Sequence, residues 1–348
     1  MADKKLISKY FENSIREKSY NFPNKNSPKR DSFFALPLGI WPFESKLLLL
    51  FLAIWCLFGI FILGSASWWV ASKEMGDLNY YIKRQILWYA PSLSIFYLIL
   101  KTNIRDLLKI SKFIFYGLIL LVAGTILFGT NVNGSSRWLI LGPLQIQPSE
   151  LIKPFAILEA ANIFAHWNLV KIEKKIISIM LFGLLIFLIM LQPNLSTAGL
   201  IGILFWVMAL CGGVRLKTLG TVASLGFLSA YISILRNEYQ RLRVISFLNP
   251  WEDANGNGYQ LIQSLLAIGS GGLFGRGYGL SVQKLQYLPI QSTDFIFAIF
   301  AEEFGLLGSI CLLGFLSIFS YLSLRIALNC SNNYTKLVAV GCGTSLLA

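Results

Sequence analysis

Long apolar runs separated by short polar pieces dominate the chain from residue 47 onward. Runs at 47–69, 85–101, 110–129, 148–166, 176–192, 195–213, 216–235 and 295–322 each approach the roughly 20 residues that a helix needs to cross a bilayer. A ninth run begins near 335 and meets the last residue, Ala348, at half length, so further helical sequence is expected beyond it. The pattern predicts an all-α, polytopic helical membrane domain over 46–348. Two stretches break it. Residues 1–45 are polar and basic and read as a disordered cytoplasmic N-terminal tail. No apolar core opens that tail, so no cleavable signal peptide is expected. Residues 236–294 form a polar island between spans seven and eight. Inside the island, 260–280 (QLIQSLLAIGSGGLFGRGYGL) is moderately apolar but short and glycine-broken. It predicts a re-entrant or surface-lying helix followed by tight turns, in a groove where protein or water satisfies the backbone.

Composition agrees with the membrane reading. Hydrophobic residues make up 55% of the chain and charged residues 14%, against roughly 25% charged in soluble domains. The net charge of +13 takes its meaning from where the charges lie. With the N-terminus inside, 20 of the 30 Lys and Arg fall on cytoplasmic pieces, as the positive-inside rule requires. Loops 70–84, 130–147 and 236–294 are then outside. The basic balance is an insertion signal with some attraction to anionic lipid heads, and no nucleic-acid partner follows from it. Cys56, Cys211, Cys311, Cys330 and Cys342 form no CxxC pair, so neither a disulfide framework nor a zinc site is expected. His166 is the sole histidine and receives no role.

The candidate chemistry lies in the outer pieces. Asp253 ends Asn249-Pro250-Trp251-Glu252-Asp253, where Pro250 fixes its own φ and biases Asn249 to an extended backbone. Trp251 suits the water–lipid boundary. A carboxylate near a low-dielectric boundary can act as a general base; the plainer reading is a cap or a loop salt bridge. Arg241 and Arg243 in EYQRLR could bind phosphate oxygens, or could simply snorkel at the end of span seven.

Pro148 or Ser149 opens a helix with Glu150 in its first turn. Glu150 and Lys153 are i,i+3 neighbours and could form a structural pair. Lys153 and Glu159 nevertheless lie within one span, where charges default to a functional or paired reading. Asp294 reads as an N-cap of span eight. Glu302 and Glu303, deeper in that span, are not explained by capping. Glu302 lies on nearly the stripe of Asp294 and could partner Lys153, Arg137 or a cation; interhelical polar bonding is the alternative. The glycines of 269–279 follow no strand and precede no GK[ST], so they are not a nucleotide fingerprint. They predict tight turns and close backbone approach.

Five segments in this order, NGSSRWLILGPLQIQPSELIK, QPNLSTAG, NPWED with GYQL, AIGSGGLFGRGYG with QKLQYLP, and TDFIFAIFAEEFG, resemble the SEDS family of FtsW and RodA. The resemblance spans 46–348 and is closer to the division branch than to the elongation branch. It implies a ten-helix membrane fold, of which about eight and a half helices fall within these residues. It implies a peptidoglycan glycosyltransferase of the cytoplasmic (inner) membrane, with 236–294 as the outer catalytic loop. The implied substrate is lipid II. The implied partners are a class B penicillin-binding protein and other membrane proteins of the division or elongation machinery.

In the family the essential loop carboxylate falls on the last residue of NPWED, here Asp253. A base for the acceptor hydroxyl and positive charge for the departing pyrophosphate would suffice. Arg137, Arg241, Arg243 and Lys153 are candidates for the latter, with Glu150 and Glu302 completing the substrate-binding set. Mg²⁺ is the candidate cofactor, with no metal ligand assigned. One base without a paired nucleophile fits inversion.

Three departures stand out. Asn194 replaces the Asp of the usual QPDLG. Leu288-Pro289-Ile290-Gln291-Ser292-Thr293-Asp294 lacks the Glu and His of LPEAHTD. The GLPLPFISYGGSS-like segment is not within these 348 residues. Two rival readings are a lipid II flippase, which needs polar residues continuously through the membrane, and a non-catalytic scaffold that activates its partner.

Overall fold

A computed structural model describes residues 41–102, 104–132, 135–141, 144–192, 194–285 and 287–347. The expected tail lies outside these residues, except for its last five. Helix α1 (Phe43–Met75) takes Phe43, Glu44 and Ser45 from it. The 33 residues of α1 would extend about 50 Å, more than the hydrocarbon core requires.

The remaining helices are α2 (Tyr80–Lys101), α3 (Ile104–Phe128), α4 (Pro148–Phe164), α5 (Ile172–Leu191), α6 (Leu195–Cys211), α7 (Leu216–Arg236), α8 (Glu238–Leu248), α9 (Tyr259–Ser270), α10 (Ile296–Asn329) and α11 (Asn333–Leu347). Each of the nine expected spans coincides with one of them. Five, namely α1, α3, α5, α7 and α10, are long and apolar enough to cross a membrane on those grounds alone.

The shorter α4 and α6 are central. Ile152, Ala156, Ala160 and Ala161 of α4 are buried, as are Ala198, Ile201, Leu204 and Met208 of α6. With Phe115 of α3, Leu185 and Ile189 of α5, and Leu337 of α11 they form the larger core. Lipid is as apolar as leucine, so such helices associate through close packing of small residues. Gly341 of α11 shows the tightness: a Cβ there would come 2.6 Å from the Ile157 side chain and 2.9 Å from Met208 Sδ. Peripheral helices show the complement. No described residue of α2 is buried, and α7 buries Leu219 while exposing Leu225, Phe227 and Leu228. Apolar area on that scale marks a surface made for lipid.

The outer pieces carry more structure than the sequence shows. Loop 130–147 contains an antiparallel sheet of β1 (Thr130–Val132), β2 (Ser135–Leu141) and β3 (Leu144–Ile146), in the order β1-β2-β3. Leu139 pairs with Ile146 and Leu141 with Leu144. This sheet is an addition to the all-α expectation. The polar island is likewise not one loop. It holds α8, a 3₁₀ turn at Pro250–Asp253, and α9. Helix α9 is the short helix expected near 260–280; it buries Ile262, Ser264 and Ala267 and packs on α10.

The glycines do what tight turns and close approach require. Gly272, Gly275, Gly277 and Gly279 have positive φ, a region that other residues enter only with strain. Helix α10 is broken at Gly305 (φ 67°, ψ −164°), and the glycine turns fill the break. The amides of Arg276 and Gly277 donate to the carbonyls of Glu302 and Glu303 at 2.9 and 3.0 Å. In return, the amides of Leu306 and Leu307 donate to the carbonyls of Gly272 and Leu273. A Cβ on Gly275 would collide with the Glu303 carbonyl. We expect Gly275→Ala to destabilise the protein by about 2–3 kcal/mol or more, from positive-φ strain plus that collision. Thermal unfolding in detergent, beside Gly269→Ala as an unhindered control, measures it.

Candidate active site

Asp253 closes the 3₁₀ turn that follows α8. Pro250 starts that turn, where its missing N–H costs nothing. The Asp253 carbonyl accepts from the amides of Gly256 (3.2 Å) and Gly258 (3.0 Å). Its Oδ2 accepts from the Asn257 amide at 2.8 Å and from Asn257 Nδ2 at 3.2 Å. Gly256 lies against the carboxylate and leaves no room for a side chain. Asp253 is exposed, held from behind by its own turn and open in front. It is neither a helix cap nor half of a salt bridge among the described contacts.

The candidate cations separate. Arg137 on β2 and Arg243 on α8 line one cavity of about 260 Å³. The Arg243 guanidinium stacks 5.0 Å from the Tyr239 ring, a favourable cation–π distance. Burial lowers the Arg137 pKa from its ordinary value, Tyr239 raises it, and the like charge of Arg243 lowers it again. Arg241 is not among the lining residues and pairs with Glu238 at 3.8 Å. Lys153 binds Glu150 at 2.7 Å, which is the structural i,i+3 pair. Neither Lys153 nor Glu150 lines the cavity.

Residues from three separate connections meet there. Arg137 comes from the sheet after α3, Asn194 and Ser196 from the start of α6, and Tyr239 to Leu248 from α8. These connections therefore lie on one face of the helix bundle. At Leu248 the cavity ends, and the chain turns through Asn249 to Asp253.

Glu302 takes the polar-bonding alternative, with Arg276 rather than Lys153 or Arg137 as its cation. The Ser281 hydroxyl donates to its Oε2, the Val282 amide donates to its Oε1 at 3.1 Å, and Arg276 Nε stands 3.5 Å from Oε1. Both oxygens are thus occupied in tying the loop after α9 to α10. Asp294 departs from expectation: α10 begins at Ile296, with Phe295 at the cap position and no side-chain cap.

The pair that sequence reasoning missed is Lys284 with Glu303. Both are fully buried and joined at 2.7 Å. The Ser65 hydroxyl of α1 donates to the carboxylate at 2.6 Å, and Lys284 Nζ donates to Ser65 at 3.1 Å. The Trp68 ring stands 5.6 Å from the ammonium. Gln291 Nε2 then donates to the Lys284 carbonyl at 2.7 Å. Two adjacent carboxylates inside a span were the signal, because such charges need partners. Lys284 was the cation to seek.

A multi-pass helical membrane protein is defined here, with a cavity lined by two arginines where three of its helix connections meet. The chain belongs to the FtsW/RodA/SpoVE family, described as cell cycle proteins, whose profile matches residues 45–348. Among its relatives, one from Mesostigma viride named as a peptidoglycan glycosyltransferase FtsW is 46% identical over 291 residues. That match covers 83% of this chain and 70% of the relative. A Synechocystis protein of the same name is 42% identical over 302 residues, covering 86% and 77%. The fold is similar to a chain of a peptidoglycan synthase complex that coordinates polymerisation and crosslinking. There the TM-score is 0.70 with 24% identity, covering 88% of this chain and 84% of that one. It is also similar to the rod shape determining protein RodA of Thermus thermophilus, with a TM-score of 0.61, 23% identity, and 86% and 80% covered.

Proposed function

We infer that this chain is a peptidoglycan glycosyltransferase of the division branch, polymerising lipid II at the outer face of the cytoplasmic membrane. The observation that carries this is the extent of identity to FtsW relatives, 46% over most of the chain. The cavity lined by Arg137 and Arg243, whose last lining residue, Leu248, precedes Asp253 by five positions in the chain, supports it. The N-terminus is assigned to the cytoplasm by the charge bias. The likeness to a synthase complex chain supports a class B penicillin-binding protein as partner.

The reaction joins an acceptor sugar hydroxyl to C1 of a donor sugar held by undecaprenyl pyrophosphate. Asp253 takes the hydroxyl proton as the new C1–O bond forms. The old C1–O bond breaks, and its electron pair leaves on the pyrophosphate. Arg137 and Arg243 meet that developing negative charge. One base on the acceptor side gives a single displacement with inversion. Mg²⁺ does not fit the cavity, whose charged lining groups are both cations. No group of three or more metal-ligating side chains exists among the described residues. No step is therefore routed through a metal.

The test is polymerisation of lipid II in detergent, where membrane sidedness is lost, by the protein with its partner's crosslinking site inactivated. Glycan strands on a gel support the enzyme; their absence, with lipid translocation in vesicles, would replace it with the flippase. Arg243→Lys is expected to cost more than about tenfold in rate, because an ammonium loses the planar fork and the Tyr239 stack.

A further inference from the structure

The buried Lys284–Glu303 pair is not needed for stability alone. Apolar side chains of similar volume usually serve a protein interior as well or better. Yet Ser65, Lys284 and Glu303 are all buried and meet at one point. Ser65 Oγ lies 2.6 and 2.7 Å from the two carboxylate oxygens, and Lys284 Nζ donates to it at 3.1 Å. What three interlocked polar groups supply, and leucines do not, is a single geometry.

Helix α10 needs that geometry. Its break at Gly305 means that residues 296–304 do not inherit a direction from the rest of the helix. Their orientation is set by what they touch. The glycine turns hold them on one side. Through Glu303 they are tied to α1. Ala66, next to Ser65, packs with Ala267 of α9 and with Leu288, Ala298 and Ile299 in a second core, separate from the larger one. Gln291 Nε2 spans the Lys284 and Ala66 carbonyls at 2.7 and 3.4 Å. The Tyr278 hydroxyl donates to the Phe61 carbonyl at 3.0 Å, and the two rings stack 4.1 Å apart. From Phe61 to Ala66, α1 is therefore the support for the whole block.

Asp253 is carried by that block. A Cβ on Gly271, at the end of α9, would collide with the Ala301 carbonyl, so α9 is seated directly on 296–304. At its other end the Gly258 amide donates to the Asp253 carbonyl at 3.0 Å, and the Gly258 carbonyl accepts the Ile262 amide at 3.0 Å. The space beside Gly258 is filled by the Pro250 carbonyl. The turn that presents Asp253 is thus locked to the start of α9, and it reaches α8 through Asn249. The arginine cavity is built from β2, α8 and the start of α6, and α6 belongs to the larger core. The base and the two cations are held by different parts of the molecule.

We propose that Ser65, with Lys284 and Glu303, fixes the outer part of α10 against α1 and so sets where Asp253 stands relative to the arginines. Ser65 lies outside the cavity and is a positioning residue. Its effect on rate rests on the functional reading above; its mechanical coupling to the Asp253 turn does not. A misplacement of about 1 Å is enough to lower a rate by about 100-fold.

The experiment uses the full chain with its partner in detergent. It measures kcat and KM for lipid II polymerisation, the melting midpoint, and hydrogen exchange of the amides in 250–262. Ser65→Ala suits a helix and removes only the hydroxyl. It should lower kcat by about tenfold with KM within about twofold, as loss of alignment rather than of binding does. Lys284→Met/Glu303→Leu should melt near wild type, since both charges leave together, but lower kcat by about 100-fold. Exchange in 250–262 should rise in both variants, and exchange in α4 should not.

A double variant that melts and polymerises as wild type does overturns the proposal. So does a Ser65→Ala loss confined to KM. If the double variant fails to fold, Ser65→Ala decides alone, and an unchanged kcat overturns the proposal. Wild type that makes no polymer, while exchange in 250–262 still follows residue 65, removes the enzymatic reading and leaves the coupling. Wild type that polymerises, with neither rate nor exchange following residue 65, removes the coupling alone.

Discussion

Asp253→Asn is expected to lower lipid II polymerisation by about 100-fold or more, the scale of a lost general base, without moving the melting midpoint. The substitution keeps an oxygen where Asn257 donates at 2.8 Å, so the turn survives. It removes the basic lone pair that would accept the acceptor's proton. Asp253→Ala should be scarcely worse. The exposure of the carboxylate matters here: a side chain pinned from behind and free in front meets substrate without rearranging. Strand formation, followed on gels beside melting curves, checks both halves. Wild-type polymer from Asp253→Asn would remove this residue from the mechanism.

The second large effect lies away from that turn. Glu303→Leu leaves the Lys284 ammonium fully buried without its carboxylate. Breaking a buried pair on one side typically costs about 3–5 kcal/mol. Expression and melting temperature of Glu303→Leu should both collapse, and Lys284→Met should do nearly the same. The double variant Lys284→Met/Glu303→Leu should recover much of the loss, because replacing both ions spares the desolvation cost. A double as damaged as the singles would show that the Ser65 and Gln291 contacts, rather than charge balance, hold this junction.

What the chain disclosed beforehand divides along physical lines. Helices that cross a bilayer need long apolar stretches, so nine runs read from hydropathy met nine helices. Interior sites do not announce themselves that way. The sheet at 130–146 uses strands of three to seven residues, too short for a periodicity to rise above its neighbours. Helix α8, EYQRLRVISFL, mixes charge and apolar residues with little sidedness and vanished into a polar island.

Lys284 and Glu303 are 19 residues apart and joined by irregular chain, so no spacing rule links them. Asp294 failed as a cap because the turns through 287–294 run on past it. Asp253 was legible from Pro250 and from family resemblance together.

The bond from Ser65 to Glu303 joins residues 238 apart in sequence. A ribosome adding roughly 5–20 residues per second needs on the order of tens of seconds to supply the second after the first. Throughout that interval α1 already sits in the bilayer with its polar notch at Ser65 waiting. The glycine turns and Lys284 emerge next, and Glu303 follows immediately behind them. Junction assembly is therefore a late event in synthesis, completed by the segment that carries both charges. A nascent chain arrested before residue 303 should be a substrate for membrane proteases, whereas one released beyond α10 should persist.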